Sequence, residues 1–143
     1  MKSTVSEAIS FMLSITKHIR SGDIRACILC ILIELNFNTN SDGFFYLRDV
    51  VAMKIAHPNM RYQDICTELA AVYGNSYSFH QMDQAIRMII TKAWAESDHE
   101  KWLLLLPQIR NNRPTRPSNN VFVSQLACMI ELWSSGVMQN VAE

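Results

Sequence analysis

Hydrophobic positions between residues 62 and 94 follow two helical periods that are separated by a short polar break. In the first period Ile65, Leu69 and Val72 recur at the spacing of one helix face. Gly74 follows the last of them, where a glycine can take the left-handed conformation that closes a helix. The pattern therefore predicts two consecutive helices joined by a tight turn.

The second predicted helix opens at Ser78, which lies three residues before Gln81 in the spacing of a capping box. Its apolar positions, which recur at about 100 degrees per residue, are Phe79, Met82, Ile86, Ile89, Ile90, Ala93 and Trp94. Its polar side carries His80, Gln84, Arg87 and Thr91, flanked by Gln81, Met88 and Lys92. This pair resembles a helix-turn-helix, and Ala70 would let the second helix cross closely. The alternative is two ordinary amphipathic helices of an α-helical protein.

Caps and helix breakers place further helices on either side of this pair. The predicted boundaries are Thr4 to Gly22, Asp23 to about Leu35, Phe44 to Ala56, Ser97 to Pro107 and Ser118 to Gly136. No segment shows the alternation of a strand. We expect an all-α fold, a single-domain helical bundle of about six to seven helices containing a helix-turn-helix. Its parts are an N-terminal amphipathic helix extension (1–22), the helix-turn-helix domain (23–136) and a tail (137–143).

Composition narrows the functional classes. The chain has 143 residues, is 49% hydrophobic and has a formal net charge of zero, so any contact with nucleic acid must rest on a local patch. The four cysteines lie in apolar helical patterns and are expected to be buried free thiols in a reducing compartment. Cys27 and Cys30 form a C-x-x-C spacing that lacks a second half, so we expect no metal and no cofactor.

The apolar run around Cys30 is too short to span a bilayer, and no signal-peptide core follows Met1. We therefore expect a cytoplasmic protein without membrane contact. The sequence offers no convergent nucleophile, base and stabiliser and no phosphate-binding glycine loop, so no catalytic residues are assigned and an enzyme is not expected.

Four stretches carry a resemblance to a known family. They are Gly43-Phe-Phe-Tyr-Leu-Arg-Asp49, Gln84-Ala-Ile-Arg87, Lys92-Ala-Trp94, and Arg116-Pro-Ser-Asn119 followed by Phe122. In order and spacing the region from about Ile24 to Trp133 resembles the C-terminal effector domain of the bacterial sporulation response regulator, stage zero sporulation protein A. The chain begins one helix before this region, so we expect it to lack the family's receiver domain.

The resemblance implies a function. That family's domain is an all-α unit that binds a short DNA box through a helix-turn-helix, with copies in tandem on adjacent boxes. It implies here a sequence-specific duplex DNA-binding transcription regulator whose helix 78–95 lies in the major groove. The implied partners are double-stranded DNA and a second copy of the chain, as a homodimer or in tandem on DNA.

The expected base-reading residues are His80, Gln81, Asp83, Gln84 and Arg87. The family reads its box with a glutamate followed by an arginine, and these positions fall on Asp83 and Gln84. Because arginine reads guanine whereas glutamine prefers adenine, a different DNA sequence is expected. At a further position the family has a basic residue, and this sequence has Gln81, so one positive charge is lost. Alternatively, Asp83 serves the helix N-terminus electrostatically, and His80 is simply solvated.

The expected phosphate-contacting residues are Ser78, Lys92, Arg110, Arg113 and Arg116. The three arginines lie in a proline-stiffened connector without an acid, and guanidinium groups pair with phosphate in two-pronged fashion. The alternative for this connector is a solvated loop. Arg87 has an alternative too, since an ion pair with Asp83 four residues earlier would be an ordinary surface pair.

A second function stays open. A protein-interaction module or antagonist would keep the fold, lose DNA binding and pair with a protein regulator. Zero net charge favours this alternative, whereas Gln81, Gln84 and the arginines of the connector favour DNA.

Overall fold

The computed structural model describes residues 23–74, 78–97, 99–106 and 116–134. Within these ranges the chain forms helices and no strand, which confirms the all-α prediction. The helices are α1 (Ile24–Glu34), α2 (Asp42–Ala56), α3 (Tyr62–Tyr73), α4 (Phe79–Glu96), α5 (His99–Leu105) and α6 (Asn119–Ser134). The helix predicted for residues 1–22, the end of the last helix at Gly136, and Arg110 and Arg113 lie outside the described residues.

Local caps determine where several helices begin and end. The Asp23 carboxylate accepts from the Ala26 amide at 3.0 Å at the start of α1. Gly74 follows α3 with φ +138° and ψ 164°, so its backbone is extended at positive φ and not in the left-handed helical conformation that the sequence suggested. The Ser97 hydroxyl donates to the Trp94 carbonyl at 3.4 Å where α4 ends.

Helix α2 lies at the centre of the domain and packs against α1, α3, α4 and α6. Its crossing with α4 is very close at Gly43, where a Cβ atom would lie 2.6 Å from the Ala85 carbonyl oxygen. Only glycine permits that approach without moving backbone. The sequence suggested Ala70 as the small residue of a close crossing; Ala70 is buried, but the tightest steric requirement falls on Gly43.

An aromatic cluster joins three parts of the core that are distant in the sequence. Phe37, Trp102 and Phe122 form an aromatic cluster with ring centroids 5.4 to 5.7 Å apart. All three rings are buried, as is Tyr46 on α2. This cluster joins the loop after α1 to α5 and α6, and so holds the last helix against the bundle.

Two apolar predictions are wrong. Val72 is 78% exposed, because α3 turns Ile65, Cys66 and Ala70 toward the core and Val72 lies on the outer side. Cys128 is exposed and Cys30 half-buried, whereas Cys27 and Cys66 are buried as predicted.

Burial raises the pKa of Cys27 to about 12 and that of Cys66 to about 11. In the ranges described, no helix is both long and apolar enough to cross a membrane.

Candidate nucleic-acid interface

Helix α4 presents one face to the core and the other to solvent, as its sequence pattern predicted. Met82, Ile86, Ile89, Ile90 and Ala93 are buried, and Phe79 and Trp94 are partly buried against them. Seven exposed residues, which we call the α4 stripe, precede the last turn of the helix: His80, Gln81, Gln84, Arg87, Met88, Thr91 and Lys92. The apolar face thus fixes the helix, and none of the stripe residues is needed to fill the core.

The α4 stripe has the dimensions of a groove-reading element. Eighteen residues make a helix about 27 Å long, and a DNA major groove about 12 Å wide admits one α-helix. Gln84 and Met88 lie in the middle of the stripe, and Met88 is 63% exposed. The Gln84 amide has no hydrogen-bond partner among the described residues, so its donor and acceptor are available to a ligand.

The N-terminal end of α4 is capped by Ser78. The Ser78 hydroxyl oxygen accepts from the Gln81 amide at 3.3 Å, which confirms the cap predicted from the sequence. Because capping uses only the oxygen lone pair, the hydroxyl hydrogen remains available for a phosphate. His80 is exposed beside this cap, with its ring 5.6 Å from that of Phe79. Both residues therefore stand where a helix N-terminus favours an anion.

Asp83 differs from the rest of the polar positions on α4, because its side chain is held inside the domain. One carboxylate oxygen, Oδ1, accepts from the Tyr62 hydroxyl at 2.8 Å and from the Asn119 Nδ2 at 2.8 Å. The same Nδ2 donates to the Asp83 main-chain carbonyl at 2.9 Å and lies 3.2 Å from the Tyr62 oxygen. The group of Tyr62, Asp83 and Asn119, which we call the Asp83 network, ties α3 and α6 to α4.

The members of the Asp83 network are shielded from water. Tyr62 is 8% exposed, Asn119 is 7% exposed, and the Asp83 side chain is 18% exposed. Burial, together with the neighbouring Cys66 and the hydrogen bond to Asp83, raises the pKa of Tyr62 above its ordinary value, so the phenol remains a donor. Sequence reasoning missed Tyr62 and gave Asn119 no role beyond its turn, since no local pattern links them to Asp83.

Arg87 lies at the outer edge of this network. Its guanidinium donates to the second oxygen of Asp83, Oδ2, at 3.2 Å, so the ion pair weighed from the sequence is present. The Arg87 side chain is 55% exposed, whereas that of Asp83 is much less so. One partner of the pair is therefore fixed and the other is accessible to solvent.

The cations expected to contact phosphate fall into two groups. Lys92 is exposed near the C-terminal end of the α4 stripe. Arg116 is half-buried and donates to the Pro117 carbonyl at 3.2 Å, and it precedes the point where Asn119 bonds to α4. This end of the connector therefore reaches α6 beside the first turns of α4.

The described residues contain no group of three histidine, cysteine, aspartate or glutamate side chains that could hold a metal ion. A family model described as sporulation initiation factor Spo0A C terminal matches residues 28–130. Searches of curated proteins and of solved structures found no match.

Proposed function

Because the chain belongs to the family of the sporulation initiation factor Spo0A C-terminal domain, a family of DNA-binding effector domains and not of enzymes, we propose that it binds duplex DNA sequence-specifically and regulates transcription. Helix α4 enters the major groove and presents the α4 stripe to base edges. The observation that carries this proposal is the exposed polar face of a helix whose opposite face is anchored in the core.

Base reading in this proposal centres on glutamine. The Gln84 amide has the donor and acceptor that match the N6 and N7 atoms of adenine, and Gln81 offers the same chemistry one turn earlier. His80 and Arg87 flank them and reach the same groove. Asp83 has its carboxylate engaged within the domain and contributes indirectly.

Phosphate contacts in this proposal come from Ser78 and Lys92 on α4 and from Arg116 in the connector. Arg110 and Arg113, which lie outside the described residues, are assigned the same role from the sequence. Since the net charge of the chain is zero, affinity depends on these local cations and not on the field of the whole protein. Tandem copies on adjacent boxes would add to the affinity of one copy.

Selection of random duplexes, followed by a salt titration of the enriched site, tests the proposal. We expect one enriched sequence whose affinity falls steeply with salt, because each phosphate contact releases counterions. A chain that enriches no sequence and binds no duplex at low salt would instead support the alternative, an interaction module or antagonist that keeps the fold. Zero net charge and the Asp83–Arg87 ion pair are the observations that favour that alternative.

Replacing Gln84 with alanine tests the reading face directly. We expect Gln84→Ala to lose preference at one base position, at a cost of about 1–3 kcal/mol against the preferred site. Selection repeated with the variant measures this loss. Gln63→Ala is the matched control, since Gln63 is an exposed glutamine on α3, outside the stripe. An unchanged base preference in Gln84→Ala would place the reading face elsewhere.

A further inference from the structure

Asp83 occupies the sequence position at which the resemblance implied a base-reading carboxylate, yet its carboxylate is committed within the domain. We infer that Asp83 reads no base: it is a positioning residue that fixes α4 on α3 and α6 and holds Arg87 in an ion pair that must open when the protein binds a duplex. This inference rests on the proposed function and specifies how its reading face is held and restrained.

The first step is that the Asp83 carboxylate cannot turn toward a base without leaving buried groups unpaired. The Asn119 amide has two hydrogens, and its two shortest contacts, at 2.8 and 2.9 Å, are both to Asp83. The Tyr62 hydroxyl donates to the same carboxylate. Since Tyr62 and Asn119 are both buried, rotation of Asp83 would strand two donors away from water.

The second step concerns which partner of the ion pair moves. Asp83 is held by Tyr62 and Asn119, whereas the Arg87 side chain is 55% exposed and donates to Asp83 Oδ2 at 3.2 Å. A DNA phosphate or a guanine edge offers the Arg87 guanidinium a bidentate acceptor. The same DNA groups repel the Asp83 carboxylate. On a duplex, the Arg87 guanidinium therefore leaves the Asp83 carboxylate and contacts DNA. Asp83 opposes binding because it competes with DNA for this guanidinium.

The variant Asp83→Asn separates these two roles. An asparagine oxygen still accepts from Tyr62 and Asn119, so the Asp83 network keeps its acceptor. Its amide nitrogen faces Arg87 as a donor, so the ion pair is lost. We expect the variant to bind the selected duplex about two- to threefold more tightly, the size expected for loss of one exposed pair at this spacing. The base preference should be that of the unmodified chain.

A matched control is available on α3. Arg61 and Asp64 form a similar ion pair, with 3.0 Å between Nε and Oδ2 and both side chains exposed. Asp64→Asn removes the same charge from the protein without releasing a stripe residue. Asp64→Asn should therefore change affinity less than Asp83→Asn, and an equal gain from both would overturn the inference by assigning the effect to net charge.

A double-mutant cycle with Arg87→Ala gives the decisive readout. Arg87→Ala leaves the contacts of Tyr62 and Asn119 in place, so it stays usable even where Asp83→Asn weakens the fold. If Asp83 acts by restraining Arg87, then in the Arg87→Ala background Asp83→Asn should raise affinity no more than Asp64→Asn does. A larger gain there overturns the competition, and a changed base preference in Asp83→Asn overturns the claim that Asp83 reads no base. Failure of the unmodified chain to bind any duplex would instead contradict the proposed function.

Discussion

Helix α3 begins and ends with a tyrosine, and each of them donates its hydroxyl to an aspartate on a neighbouring helix. Tyr62 at the first position donates to Asp83 on α4, and Tyr73 at the last position donates to Asp49 on α2. The two pairs have the same chemistry, but Tyr62 is 8% exposed and Tyr73 is 38% exposed. Water can therefore replace the hydrogen bond of Tyr73 more readily than that of Tyr62, although both aspartate side chains are largely shielded.

The other partners of the two aspartates differ as well. Asp83 accepts from the neutral amide of Asn119. Asp49 instead forms ion pairs with Arg48 at 2.9 Å and with Arg25 at 3.5 Å. The Arg25 side chain is 68% exposed, so solvent screens its pair with Asp49, whereas the hydrogen bonds of the buried Tyr62 and Asn119 to a charged group are costly to break. We therefore expect Tyr62→Phe and Tyr73→Phe, which remove the same hydroxyl group, to lower the free energy of unfolding by different amounts.

The largest effect is expected from Asn119→Ala. It removes both short hydrogen bonds to Asp83 and leaves acceptors partly unpaired at the junction of α4 and α6. We expect the free energy of unfolding to fall by about 2–3 kcal/mol, measured by urea denaturation. Asn120→Ala is the control, because Asn120 is the exposed next residue, and it should change stability by no more than about 0.5 kcal/mol. Equal losses of stability in Asn119→Ala and Asn120→Ala would show that any substitution in the first turn of α6 destabilises the fold, whether or not it touches the Asp83 network.

A smaller loss is expected from Tyr62→Phe. The ring remains in the core beside Phe79, with 6.1 Å between ring centroids, and only the donor to Asp83 is removed. Because Asp83 keeps Asn119 and Arg87, we expect a loss of about 1.5–2 kcal/mol. Unfolding in urea measures it, and a loss below that of Tyr73→Phe would reverse the ranking of the two tyrosines.

Tyr73→Phe should have the least effect on stability of the three. Its hydroxyl partner Asp49 retains two arginines, and the Tyr73 side chain itself is 38% exposed. We expect a loss of less than about 1 kcal/mol in urea denaturation, because water can replace the lost hydrogen bond. A loss as large as that of Tyr62→Phe would show that this pair is not governed by the exposure of its tyrosine.

These contrasts also show what the sequence could and could not predict. The α4 stripe and the Ser78 cap were predictable because helical periodicity and capping are local, within a few residues. The partners of Asp83 lie 21 and 36 residues away, and no spacing in the chain pairs them. Gly43 likewise follows from how α2 crosses α4, which only the tertiary packing reveals.

The same limit explains why the partners of Asp83 were not expected. The sequence offered Asp83 two roles, base reading or stabilising the helix N-terminus, but whether its carboxylate faces solvent or the protein depends on Tyr62 and Asn119. Val72 shows the reverse case, an apolar residue at helical spacing that the packing of α3 leaves in water. Periodicity predicts the face of a helix, and the neighbouring helices decide the residues at its edges.

Alkaline titration gives the finest test of the comparison, since it ionises the tyrosine hydroxyls themselves. Burial, followed by the hydrogen bond to Asp49, raises the pKa of Tyr73 to about 12 from an ordinary value of about 10. The folded state thus favours the neutral phenol, and its contribution to stability is fully present below about pH 10 and is lost as the pH rises through about 12. The difference in absorbance at about 295 nm between the unmodified chain and Tyr73→Phe should therefore have its midpoint near pH 12. A midpoint near 10 would show that the hydroxyl is as free as in an unfolded chain; Tyr62, which is more buried, should ionise later still, because its pKa is raised further by the same cause.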